Sequence, residues 1–217
     1  MSAKKPNRVE DANTPPASRF RSIHLSGYDR MAHDLYPTPE WVTEALLKHV
    51  TLRGPVWEPC CGDGAMARVL ERAGYEVVAS DLVDRGFGRG GVDFLECATL
   101  PDGCRAIVTN PPYGDGGALA RSTNSPLAMQ KFVDHALRLT IRANGQLALL
   151  VRLQWLAGKR ASTLISSGPL SRVVVLTRRI KWFEGSDSTN AAQHHHAWLF
   201  WDCRYGRLLP PSLVFSD

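Results

Sequence analysis

The sequence predicts an α/β fold: a doubly wound, mostly parallel sheet of seven strands in a single domain behind a flexible basic tail. Three observations predict it. Short apolar bursts alternate with stretches of helical spacing from residue 40 to residue 201, the pattern of a parallel sheet covered on both faces. Two bursts, GQLALLVR (145–152) and RVVVLT (172–177), are apolar at consecutive positions, as strands buried on both sides are. With 217 residues, 44% hydrophobic and 22% charged, the chain can fill one substantial core.

Residues 1–33 are rich in Pro, Ser, Asn, Arg and Lys without a sustained period and read as a flexible tail. The folded body is expected over 34–217. It opens on YPTPEWVTEALLKHV, where Trp41, Ala45, Leu46 and Val50 share a helical face. Thr38 stands at the expected N-cap, with Pro39 in the first turn and Glu40 close by. Strands are expected at 55–58, 76–81, briefly around 93–94, and at 105–110, 145–152, 172–177 and 197–201. Helices are expected at 64–74, 127–140 and 156–166.

WEPCCGDGAM (57–66) is a strand end, a small-residue turn and a helix start. Gly62 and Gly64 let backbone N–H groups come close to a ligand at a helix N-terminus. The turn is not G-x-G-x-x-G, and Glu58 and Asp63 would repel a pyrophosphate. They suit a ligand carrying positive charge, such as S-adenosylmethionine (AdoMet), with its ammonium and sulfonium. Asp81 closes the next strand, where doubly wound folds place an acid for ribose hydroxyls. Asp93 and Phe94 offer a carboxylate and a ring to adenine.

IVTNPPYGDG (107–116) sets the chemistry. Pro111 and Pro112 cannot join a ladder, so the strand stops at Asn110. Asn110-Pro111-Pro112-Tyr113 is then held stiffly at a strand's C-terminal end. The Asn110 side-chain oxygen and the Pro111 carbonyl are two acceptors able to hold both N–H bonds of an aromatic amino group. That localises its lone pair towards a methyl donor, and Tyr113 can stack on the base. Such a base must be extruded from a duplex or already be single-stranded. A second aromatic wall is offered by RRIKWFEG (178–185), with Trp182 and Phe183 beside Arg178, Arg179 and Lys181, a pairing suited to bases and phosphates. The alternative is one ring in the core and solvated cations.

The formal charge is +5, of which the first 30 residues carry +3, so a polyanionic partner is permitted rather than demanded. Five cysteines (60, 61, 97, 104, 203) lack framework spacing and read as reduced thiols of a cytoplasmic protein. No apolar run approaches the ~20 residues of a membrane span. His194, His195 and His196 lie in a row on an expected strand entrance and point to opposite faces, so no metal site is expected.

Together these motifs resemble the AdoMet-dependent DNA methyltransferases that act on adenine N6. More narrowly, DLYPTPEWVTEALL followed by EPCCGDGAM is similar to small enzymes of phage or prophage type. The resemblance spans roughly residues 34–202 and implies a Rossmann-like class I fold with AdoMet as cofactor and DNA as partner. It implies that Tyr36 and Thr38 close over the methionine end of AdoMet. Glu58, Pro59, Gly62, Asp63 and Gly64 match the AdoMet turn, Asp81 the ribose acid, and Asp93 and Phe94 the adenine site. It places Asn110, Pro111, Pro112 and Tyr113 at the reacting amino group and favours Phe183 as the second wall. The chain has no room for the extra target-recognition domain of larger relatives, so specificity is expected to be short, relaxed, or assisted by a second subunit or a partner. Two rivals remain open at this point. One is methylation of an amino nitrogen in ribosomal or transfer RNA, or of a protein glutamine amide; the other is a non-catalytic AdoMet- or nucleic-acid-binding module.

Overall fold

Consecutive burial is what assembles the sheet. The computed structural model describes residues 36–112, 127–158, 161, 165, 168–182, 194–204 and 210–217. The expected tail, Tyr113 and Phe183 lie outside them. The strands are β1 (Val56–Glu58), β2 (Val77–Ala79), β3 (Ala106–Thr109), β4 (Gln146–Arg152), β5 (Leu170–Leu176), β6 (His196–Asp202) and β7 (Ser212–Ser216). Every residue of β1, β3 and β6 is buried, as are the first six of β4. Side chains alternate between the two faces of such a strand, so each face needs its own cover.

Much of it comes from α1 (Glu40–Leu47), α2 (Ala65–Arg72) and α3 (Leu127–Arg142). On one face Val56, Val108, Leu150 and Trp198 pack with Val42 and Leu46 of α1 and Met66 and Leu70 of α2. On the other, Trp57, Ile107, Leu149 and Trp201 pack with Phe132, Val133 and Ala136 of α3. The Trp198 indole Nε1 donates to the Val42 carbonyl at 2.8 Å, tying α1 to the middle of the sheet.

The sheet order is β2-β1-β3-β4-β6-β5-β7. All neighbouring pairs are parallel except those made by β6, which runs against both β4 and β5. From β1 the chain crosses to β2 on one side, and β3 then lies on the other side of β1. The reversal opens a crevice beyond the carboxyl ends of β1 and β3, the place where such sheets bind ligands.

Four expectations are corrected. The short strand around 93–94 is a 3₁₀ turn, Phe94–Glu96, capped by Asp93, so the strand ending at Asn110 is the third in the chain. The glycine-rich run before it leaves a single bridge, Ser80 to Arg89. The seventh strand is β7, an edge strand absent from the sequence reading. The start of the helix expected at 156–166 is instead the end of a 3₁₀ segment, Leu153–Ala157, with Ala161 and Ile165 helical beyond it. Finally, the N-cap of α1 is Pro39, whose carbonyl accepts from Val42 N–H at 3.0 Å; Thr38 is left for another task.

Candidate active site

β1 delivers Glu58 to the crevice, and the chain turns through Pro59, Cys60, Cys61, Gly62 and Asp63 into α2. Gly64 caps α2 in the left-handed conformation (φ 85°). A Cβ there would meet the Phe87 ring at 2.5 Å, so the turn and the loop after β2 require a glycine where they close. The turn's donors are largely engaged within the protein: Cys61 N–H bonds Ser80 O, Gly64 N–H bonds Cys61 O, Gly62 N–H bonds Asp81 Oδ2 and Ala65 N–H bonds Asp63 Oδ1. The expected approach of glycine N–H groups to a ligand is thus largely replaced by internal bonding. What the turn presents is carboxylates and small-residue clearance.

Glu58 is 2% exposed, and its Oε2 has no hydrogen-bond partner among the described residues. Burial pushes its carboxyl well above the usual range; the Ala67 N–H at the start of α2 offsets this only in part, and the Asp81 and Asp63 carboxylates add to the rise. Asp81 sits beyond the end of β2. Its Oδ2 accepts from Gly62 N–H and its Oδ1 from Val83 N–H, both at 2.9 Å. Each oxygen keeps acceptor capacity for further hydroxyl donors.

Phe94 parts company with the adenine expectation, whereas Asp93 is exposed and keeps acceptor capacity. The Asp93 carboxylate accepts from Leu95 N–H at 2.9 Å as a cap. The Phe94 ring is buried among Phe132 (4.5 Å between centroids), His135 (4.9 Å) and Trp57 (5.3 Å). It is a core residue and has no face to give a ligand. An apolar side chain the sequence reading passed over is Leu82, 39% exposed; its signal was simply its place next to the strand-end acid.

β3 carries Asn110 to the same edge, with Pro111 buried and Pro112 half-buried behind it. Asn110 Nδ2 donates to Thr38 Oγ1 at 3.2 Å. Its Oδ1 is buried and has no hydrogen-bond partner among the described residues. The Tyr36-Pro37-Thr38-Pro39 segment therefore meets the Asn-Pro-Pro segment directly. Sequence spacing could not show this contact, because the two residues lie 72 positions apart.

Trp182 borders the same region. Its ring meets Tyr36 edge-on at 5.8 Å and His196 edge-on at 5.5 Å. Burial, with Arg152 adding to it, pushes the His196 imidazole down to about 4, so this ring is neutral at physiological pH. Arg178 stacks over Trp41 at 4.7 Å, Arg179 Nε bonds His195 Nε2 at 3.1 Å, and Lys181 is exposed. Asp63 and Asp81 stand at the ends of β1 and β2, with Arg68 Nη2 bonding the Asp63 carbonyl at 2.9 Å, and Arg152, Arg178, Arg179 and Lys181 gather at the ends of β4 and β5. Among the described residues no cluster of His, Cys, Asp and Glu is placed to hold a metal ion. Burial, helped by neighbouring carboxylates, pushes the Cys61 thiol up to about 12 and the Cys60 thiol higher still, so neither supplies a thiolate nucleophile.

Similar folds occur in solved structures. A protein from Listeria monocytogenes, provisionally named a class I AdoMet-dependent methyltransferase, superposes with a TM-score of 0.57 at 18% identity over 84% of this chain. The fold is that of the class I methyltransferases. The type I restriction enzyme EcoKI M protein has a TM-score of 0.51 at 16% identity over 76% of this chain. A protein from Lactococcus lactis provisionally named a hemolysin has 0.50 at 10% identity, covering 81% of this chain and 89% of its own. The chain spans 65% of the Listeria protein and 43% of the EcoKI M protein. No protein-family model matches the sequence, and no curated protein sequence matches it. Within this class I methyltransferase fold, no helix among the described residues is long and apolar enough to cross a membrane.

Proposed function

We propose that the chain transfers the methyl group of AdoMet to the exocyclic N6 of adenine in DNA. The observation that carries the reading is the Asn110 Oδ1 atom, a buried acceptor without a partner among the described residues, at the switch point of a class I methyltransferase fold. An unsatisfied buried acceptor calls for a donor from outside, and an amino group brings two.

The residues fit AdoMet. Asp63 and Asp81 give the donor side of the crevice the negative charge that an ammonium and a sulfonium need, Glu58 offers its unpartnered Oε2 as a buried acceptor, and Asp81 retains capacity for ribose hydroxyls. Pro59, Gly62 and Gly64 keep the turn thin. Leu82 takes the apolar role that Phe94 is not free to fill. Tyr36 borders the methionine end, while the Thr38 hydroxyl is engaged by Asn110 Nδ2. When bound, AdoMet supplies an electrophilic methyl on sulfur. The protein's part is to hold the acceptor: Asn110 Oδ1 and the Pro111 carbonyl each take one N–H, leaving the nitrogen lone pair directed at the methyl. The proton departs after transfer, so no buried base is required. Tyr113, and Trp182 or Phe183, flank the ring.

The cationic side chains gathered on the acceptor side, Arg152, Arg178, Arg179 and Lys181, support a nucleic acid. The EcoKI M protein, part of a restriction enzyme, directs the reading to DNA. Incubation with labelled AdoMet and separate DNA, RNA and protein pools tests it. Label is expected in DNA, recovered as N6-methyladenine; label confined to RNA or protein overturns the DNA assignment. Asn110→Ala is expected to lower transfer at least about 100-fold while AdoMet binding stays within a few-fold. Unchanged turnover refutes the mechanism.

A further inference from the structure

A side-chain amide has two ends of similar shape and opposite hydrogen-bonding sense. Only the oxygen end can receive an amino group; the nitrogen end would receive a carbonyl. We propose that Thr38 is a positioning residue that settles this choice: by engaging the Asn110 amide nitrogen, its hydroxyl leaves the oxygen as the end offered to substrate. The inference rests on the methyl-transfer reading above and adds to it the group that makes the site accept amino rather than keto bases.

Three observations carry it. Thr38 Oγ1 lies 3.2 Å from Asn110 Nδ2, and Asn110 Oδ1 is buried without a partner among the described residues. Thr38 is itself 5% exposed and stands between Pro37 and Pro39, whose rings fix the chain on both sides. Pro39 caps α1, and α1 is anchored to the sheet through Val42 and Trp198. The hydroxyl therefore sits on a braced segment, while Asn110 is braced by Pro111 and Pro112. A hydroxyl can also donate, which would favour the reversed amide. Reversal would put the two N–H donors of the amide nitrogen into the buried position now held by Oδ1. Orphaned buried N–H groups are rarer than under-satisfied carbonyl oxygens, so the observed orientation is the favoured one.

The test uses the full chain with two substitutions. Thr38→Val removes the hydroxyl and keeps the β-branched shape; Thr38→Ser keeps the hydroxyl. At saturating AdoMet and DNA, Thr38→Val is expected to turn over about tenfold more slowly, the loss of one neutral hydrogen bond. Its AdoMet Kd is expected within twofold of wild type, and Thr38→Ser within threefold of wild type in turnover. Wild-type turnover in Thr38→Val, turnover in Thr38→Ser as slow as in Thr38→Val, or AdoMet affinity falling in step with turnover overturns the proposal. A second readout needs no activity. The Asn110 side-chain N–H signals, identified in ¹⁵N spectra by their loss in Asn110→Ala, are expected to exchange with water at least about tenfold faster in Thr38→Val. Equal exchange rates overturn the positioning role even if the wild type methylates DNA. Faster exchange in Thr38→Val, with no methyl transfer by the wild type to any pool, supports the positioning contact and removes the methyl-transfer reading alone.

Discussion

A buried carboxyl group is held against its preference to ionise, and Glu58 is such a group: the Arg68 charge offsets its burial only in part. Its pKa in the folded chain lies above the unfolded value of about 4.3, so the native state binds the proton more tightly than the unfolded chain. The stability this brings is complete below about pH 4 and is lost as pH rises towards the folded pKa. Glu58→Gln never ionises. Its Tm is therefore expected to match wild type near pH 4 and to exceed it by at least about 2 °C at pH 8, as thermal melts across that range would show; a lower Tm at pH 8 contradicts the assignment. At this scale the sequence revealed residue types better than residue tasks. Glu58, Asp81 and Asn110 were legible because each ends a strand. The bonds of two of them were not, because they join segments distant in the chain: Asp81 to Gly62, and Asn110 to Thr38. Phe94 read as a ligand ring because its motif position outweighed a core that only the folded chain reveals.

Elements were most legible where burial is two-sided. β3, β4 and β6 announce themselves by unbroken apolar runs, and α3 by its period. β7 did not: its short run Leu213-Val214-Phe215 follows two prolines, and Leu213 and Phe215 remain exposed at the sheet edge. The segment after β2 read as approaching a strand, but its glycines favour turns and one bridge survives. Gly88 makes that bridge feasible: a Cβ there would lie 2.7 Å from the Ala79 carbonyl oxygen. The turn into α2 depends on the same economy of space. Gly64→Ala is expected to cost roughly 2–4 kcal/mol, from the left-handed backbone and the Phe87 ring together. In a Phe87→Ala background the cost should fall by at least about 1 kcal/mol, a coupling that chemical denaturation of the four-member cycle measures. Additive effects would show that the ring does not confine the turn.

Across the whole molecule, the fold class followed from alternation alone, and the structural neighbours share it. The gathering of cations at the ends of β4 and β5 was not legible, since it arises from strand order and not from chain order. It makes a quantitative demand on binding. Neutralising Arg179 and Lys181 to Gln is expected to weaken DNA binding at low salt and to reduce the slope of log K against log salt by up to about 2. AdoMet affinity should be unaffected. Titrations at several salt concentrations decide it, and an unchanged slope removes these cations from the phosphate path.

The reversal of the sheet at β1 also bears on how such a protein can change. The donor-side turn and acid are complete by residue 81, whereas the acceptor strand begins at residue 106. On the proposed reading, drift in one stretch can thus retune what is modified without disturbing how the methyl is delivered, and grafting one stretch onto another body need not carry the other. Thr38, upstream of both yet bonded across to Asn110, is the stitch any such exchange must preserve.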